Sequence, residues 1–186
     1  VAGPFNPRLT EGPAWDGTTP LFTHIPASRI LRYDPETGAC TVYRENTNHT
    51  NGLAFDVEGR LYGCCSGGRS IVRFEPDGTT TTIVDQLDGQ PLNTPNDLAI
   101  DRQGRIWFSN PWNTGLVRPG ETMELSEEHV LRADQTENGE WTLTRDGHGR
   151  HQVKNSGCGL RPESPVFYRR HAANPVSLSE RSAAMI

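Results

Sequence analysis

At 186 residues the chain is long enough for one domain with a buried core, yet only 33% of it is hydrophobic, and it holds 19 glycines and 14 prolines. That balance favours many short elements joined by turns over long amphipathic helices. A formal net charge of −5, with acids and bases interspersed and no Lys/Arg-rich block, argues against nucleic acid or an anionic membrane as partner. No run approaches the roughly 18 apolar residues of a membrane span.

The first predicted element, "TEGPAWDG" from Thr10, returns in altered form as "TNGLAFDVEG" from Thr50 and "PNDLAIDRQG" from Pro95. In this register Glu11, Asn51 and Asn96 share a column. Ala14, Ala54 and Ala99 follow, then Trp15, Phe55 and Ile100, then Asp16, Asp56 and Asp101. Ten residues past the first column, Leu21, Leu61 and Ile106 align in "LFTHI", "LYGCC" and "IWFSN". A third segment aligns Arg32, Arg73 and Arg132, and a fourth appears as "CTVYRE", "TTIVDQ" and "WTLTRD". Each unit thus predicts four short strands rich in β-branched and aromatic residues. Turn signals such as Asp34-Pro35, Asp77-Gly78 and Asn138-Gly139 separate them.

Four strands per unit of 40–45 residues is the signature of a β-propeller blade, whereas a single β-sandwich does not normally repeat one residue order. The expected fold is therefore all-β: a single, partial β-propeller with three clear blades at about 9–48, 49–93 and 94–147. The third unit is the longest, and residues 110–128 read as an exposed loop able to cover one face. After about Arg145 the apolar pattern is lost, and 148–186 reads as a degenerate fourth blade or an unrelated tail. Such a break is what a truncation or a reading-frame change would produce.

Cys40, Cys64, Cys65 and Cys158 form no C-x-x-C pair and read as reduced thiols of a cytoplasmic protein. Adjacent Cys64 and Cys65 are expected on opposite faces of one strand. In a propeller the innermost strands line a central channel, so Glu11, Asn51 and Asn96 converge there with a carboxylate and two amides. Such oxygen ligands suit a hard cation, Ca²⁺ first, with Mg²⁺ or Mn²⁺ as alternatives. The six histidines show no zinc-ligand spacing. For any single Asn, an Asx-turn at a strand entry is the competing explanation.

"EGPAWD", "PNDLAIDRQGRIWFSNP" and the "RFEPDG" turn together resemble the family of gluconolactonase, senescence marker protein-30 and luciferin-regenerating enzyme, over about residues 9–145. The resemblance implies a six-bladed propeller with a divalent cation on its axis, usually Ca²⁺, with Mg²⁺, Mn²⁺ or Zn²⁺ as alternatives. It also implies a small-molecule sugar lactone as substrate, while relatives with the same metal layout hydrolyse organophosphates. By the same resemblance Glu11 is a metal ligand, and Asn96 contacts metal or substrate. Asn155 is the candidate for a further metal-binding Asn, whereas Asn51, read from its column alone, lines the substrate pocket. Thr94 stands where some animal members carry an Arg, so substrate contacts differ. No segment supplies the family's final metal-binding Asp.

The implied reaction is metal-assisted hydrolysis of a cyclic ester, the cation polarising the lactone carbonyl and a carboxylate activating water. Asp97 is one candidate base, or else a partner of the site or a turn residue; by the resemblance the family's final Asp, which no segment here supplies, is the stronger candidate. The competing readings are a non-catalytic calcium-binding propeller and an inactive member of the family. A nucleophile elbow is absent around Ser66-Gly67-Gly68.

Overall fold

The structure is a computed structural model that describes residues 9–145. The expected tail, with Asn155 and Cys158, lies outside the described residues. The first blade comprises β1 (Thr10–Trp15), β2 (Pro20–His24), β3 (Arg29–Tyr33) and β4 (Cys40–Arg44). The second comprises β5 (Thr50–Phe55), β6 (Leu61–Cys65), β7 (Ser70–Phe74) and β8 (Thr80–Val84). A short hairpin, β9 (Gln86–Leu87) and β10 (Gln90–Pro91), precedes the third, which comprises β11 (Leu98–Ile100), β12 (Ile106–Asn110), β13 (His129–Gln135) and β14 (Trp141–Arg145). Each blade is a four-stranded antiparallel sheet with its strands side by side in chain order. This is the architecture of a partial β-propeller. Among the described residues no helix is long and apolar enough to cross a membrane.

Strand alternation distributes the core into two seams. Leu21 and Ile30 of the first blade meet Leu53, Leu61, Val72 and Phe74 of the second. Tyr62, Ile71 and Ile83 of the second meet Leu98, Ile106, Phe108 and Leu131 of the third. Cys65 enters the first seam and Cys64 the second, as a two-residue side-chain period requires. Burial pushes the Cys64 thiol well above its ordinary pKa and also raises that of Cys65, which suits packing groups rather than reactive ones.

One column shifts in the first blade. Ala14 pairs with Leu21, whereas Ala54 pairs with Tyr62 and Ala99 with Trp107. Leu21 is therefore the counterpart of Tyr62 and Trp107, not of Leu61 and Ile106. The cause is the preceding hairpin. Asp16 N–H donates to Thr19 O, but Asp56 N–H reaches Arg60 O and Asp101 N–H reaches Arg105 O, one residue further. The arginine column holds, with Arg32, Arg73 and Arg132 opposite Leu21, Tyr62 and Trp107.

The same three aspartates organise those hairpins. Asp16 Oδ1 accepts the backbone N–H groups of Thr18 and Thr19 at 2.8 and 2.7 Å. Asp56 and Asp101 accept backbone N–H groups and also pair with Arg60 and Arg105, each at 2.6 Å. Burial by itself would raise their pKa values, but these hydrogen bonds overcome it. Asp16 is lowered to about 2, and Asp56 and Asp101 are also lowered.

Two predictions follow from this geometry. A group with a depressed folded pKa stabilises above its unfolded pKa and loses that contribution as pH falls through the folded value. Chemical denaturation should show stability declining below about pH 4, and Asp16→Asn should reduce the slope of that decline. Separately, a Cβ on Gly52 would lie 2.5 Å from Asp97 Oδ1 and 2.7 Å from Asp97 Cα, whereas one on Gly38 (φ +70°) would meet nothing within 4 Å. Urea titration should give a loss of about 2–4 kcal/mol for Gly52→Ala. Gly38→Ala should cost about 1 kcal/mol, from backbone strain alone.

Candidate functional site

Each first strand enters its blade through an irregularity that places one extra residue on the inner strand. In β1, Glu11 lies opposite Thr23 and Ala14 opposite Leu21, three steps against two. In β5, Thr50 lies opposite Cys65 and Leu53 opposite Gly63. At the entry to β11, Asn96 N–H donates to Ser109 O while Ser109 N–H donates to Asp97 O, both at 3.0 Å, so two residues oppose one. These are β-bulges, which re-aim side chains at sheet ends. Glu11, Asn51 and Asn96 each lie in one. The bulges share an end of their blades with the connections between second and third strands. Those are the short turns Ile25–Ala27 and Ser66–Gly68 and, in the third blade, residues 111–128.

Adjacent bulges touch through glycine. Gly12 has φ +56°, and a Cβ there would sit 2.3 Å from Asn51 O. Gly52 N–H donates to Asn96 O at 2.8 Å. In Glu11-Gly12 and Asn51-Gly52, the glycine after the column residue lets the next blade's backbone come within contact. In the third blade the corresponding residue is Asp97.

Of the residues expected at the site, Asn51 and Asn96 are in direct contact, Asn51 Nδ2 donating to Asn96 Oδ1 at 2.5 Å. Asn51 is 6% exposed, and Asn96 and Glu11 are half-buried. Glu11 is held through its backbone, its carbonyl accepting Thr23 Oγ1 at 3.0 Å. Asp97 Oδ1 accepts Leu98 N–H at 3.0 Å, and Asp97 N–H donates to Ser109 Oγ at 3.2 Å. Asn155 lies outside the described residues.

The donor set fits a hard cation in kind. Glu11 offers a carboxylate, and an amide oxygen has two lone pairs, so Asn96 Oδ1 keeps one after accepting from Asn51. Among the described residues no group of three or more His, Cys, Asp or Glu could hold a metal. Asn51 acts here as the donor that orients Asn96.

Residues that carried no motif hold this end together. Ser66 Oγ, fully buried, donates to Pro95 O at 2.6 Å, directly before Asn96. Asn93 Nδ2 bridges Asn110 O and Glu127 O at 3.3 and 3.4 Å, joining both stems of the long loop. Thr94 Oγ1 donates to Pro111 O at 2.7 Å and accepts Asn113 N–H at 2.9 Å. The loop is therefore not simply exposed: Pro111 and Leu125 are buried and Trp112 is half-buried. Trp112, Val117, Arg118 and Met123 line an open, shallow depression on the loop. In the sequence Thr94 stands out only through the family resemblance, and Ser66 only as lacking a nucleophile elbow. Ser66 and Asn93 matter through contacts far along the chain, which no local pattern encodes.

Repeated four-stranded blades with oxygen-bearing residues at equivalent inner bulges define a β-propeller with a polar end. The chain belongs to the SMP-30/gluconolactonase/LRE-like family, whose model matches residues 9–170. It is 34% identical to a gluconolactonase from Xanthomonas campestris, over 73% of this chain and 46% of that one, with a TM-score of 0.64. A putative gluconolactonase of known structure is 28% identical, covering 74% of this chain and 49% of its own, with a TM-score of 0.63. A gluconolactonase of Zymomonas mobilis is 25% identical over 156 residues, 75% of this chain and 41% of its own. The chain thus spans slightly less than half the length of these relatives.

Ser66→Ala should leave the buried Pro95 carbonyl without its donor and cost about 1–3 kcal/mol by urea titration. Ser66→Thr, which keeps the hydroxyl, should recover part of that loss.

Proposed function

We propose that the chain forms the site-bearing part of a gluconolactonase-like hydrolase acting on a sugar lactone. The observation that carries this reading is the repeated bulge, which turns Glu11, Asn51 and Asn96 to one end of consecutive blades. Its likeness to gluconolactonases at up to 34% identity supports the same substrate class.

Glu11 and Asn96 would hold a divalent cation, with Ca²⁺ the best match to hard oxygen donors. When bound, such an ion supplies polarisation of a carbonyl oxygen and stabilisation of the charge that develops there. The chain's own residues divide the other tasks. Asn51 fixes the amide of Asn96 so that its oxygen faces the site. Asp97 takes a proton from water as the hydroxyl adds to the lactone carbonyl carbon. The ring C–O bond then breaks, and the proton passes to the departing ring oxygen, giving an open-chain hydroxy acid. The unpaired thiols of Cys40, Cys64 and Cys65 support a cytoplasmic location.

Calorimetric titration with Ca²⁺, followed by gluconolactone hydrolysis on the same sample, tests the reading. Glu11→Gln should weaken binding by about a hundredfold, and Asn51→Leu by about tenfold through misorientation of Asn96. Chelator treatment should abolish turnover, and added Ca²⁺ should restore it. A folded chain that binds no Ca²⁺ would overturn the metal assignment. Binding without turnover would favour a calcium-binding role instead.

A further inference from the structure

Arg69 is a cation drawn almost wholly out of water, 8% exposed, with a left-handed backbone (φ +51°) between the Ser66–Gly68 turn and β7. Its guanidinium makes its contacts outside the second blade's sheet. Nε donates to Leu92 O at 2.5 Å, an Nη pairs with the Glu124 carboxylate, and Cζ lies over the Trp112 ring, 5.1 Å from its centroid. Glu124 and Trp112 both belong to the 111–128 loop of the third blade. Asn93 and Thr94 hold the stems of that loop, whereas Arg69 reaches further into it from a neighbouring blade. Trp112 is fixed twice, by the guanidinium on its ring and by its backbone N–H, which donates to Glu128 Oε1 at 2.7 Å.

A flat, delocalised guanidinium can stack on an indole and donate in its own plane at once, which a lysine ammonium cannot. Because Arg69 is buried, losing Glu124 would leave a charge with little solvation, so pair and loop position are coupled. The loop leaves the sheet next to Ser109 and Asn110, at the same end as the Asn96 bulge. Trp112 lines the open depression on this loop together with Arg118 and Met123. An aromatic face so fixed is suited to the C–H face of a sugar ring.

We propose that Arg69 is a positioning residue. It ties the 111–128 loop to the second blade and so holds Trp112 as a wall against which a ring-shaped substrate is oriented. The consequence for substrate rests on the lactone-hydrolase reading above, whereas the tie itself does not.

Hydrogen–deuterium exchange on the full chain tests the tie without any activity. In Arg69→Lys, amides of residues 112–127 should exchange at least about tenfold faster, while β6, β7, β12 and β13 keep their protection. Glu124→Gln should reproduce the effect without touching the second blade, and the double variant should add little. Unchanged exchange in the loop would overturn the proposal. So would acceleration spread evenly through the strands in both single variants, since that marks a general stabilising role.

Lactone kinetics test the consequence. Arg69→Lys and Trp112→Ala should each raise KM about tenfold or more while kcat stays within about twofold. A fall in kcat with KM unchanged would overturn substrate orientation as the role. A wild-type chain with no turnover would count against the lactone-hydrolase reading, leaving the exchange result to decide the tie.

Discussion

The approach of successive first strands at their bulges, Gly12 against Asn51 and Gly52 against Asn96 and Asp97, is the constraint on which the polar end of the molecule depends. Backbone meets backbone there with no room for a Cβ, and the Gly52–Asn96 hydrogen bond locks one strand to the next. Were a side chain present, the blades would separate at that end while their outer seams stayed packed. The column residues would then lose their common level. Asn51 could not reach Asn96, and the amide oxygen that suits a cation would turn freely. Packing and site geometry are therefore one requirement, met by a residue with no side chain.

A second layer of support lies behind the first. Ser66 secures Pro95, Asn93 and Thr94 secure the stems of the long loop, and Arg69 reaches that loop from the next blade. All four lie in the connections between strands or at their edges. This division is characteristic of a scaffold whose sheets supply rigidity and whose loops supply contacts. Electrostatics follow the same plan: Glu124 is held ionised below its usual range by the Arg69 hydrogen bond, just as the hairpin aspartates are held by their donors.

Much of the fold was legible because blades repeat. The Ala14, Ala54 and Ala99 column and the Arg32, Arg73 and Arg132 column both survive as structural equivalents. Leu21 did not keep its column, because a hairpin one residue shorter shifts the strand behind it. A spacing count taken from the column residue cannot see where the turn closes. The loop at 110–128 was visible as an insertion, but its burial was not. Leu125 enters a core seam and Trp112 lies against Arg69 only after chain segments tens of residues apart have met.

The sequence by itself determined the strand periodicity, the turn positions, the repeat and the chemical identity of the column: one carboxylate and two amides, each within a strand-entry motif. Those are local properties, set by side-chain type and by spacing along the backbone. Tertiary structure alone decided that Asn51 would spend its amide hydrogen on Asn96, that Gly12 and Gly52 would be contact points between blades, and that Arg69 would belong functionally to a loop more than forty residues away. Such contacts depend on the distance and angle between blades. Those are fixed by the packing of whole faces rather than by any short stretch of chain.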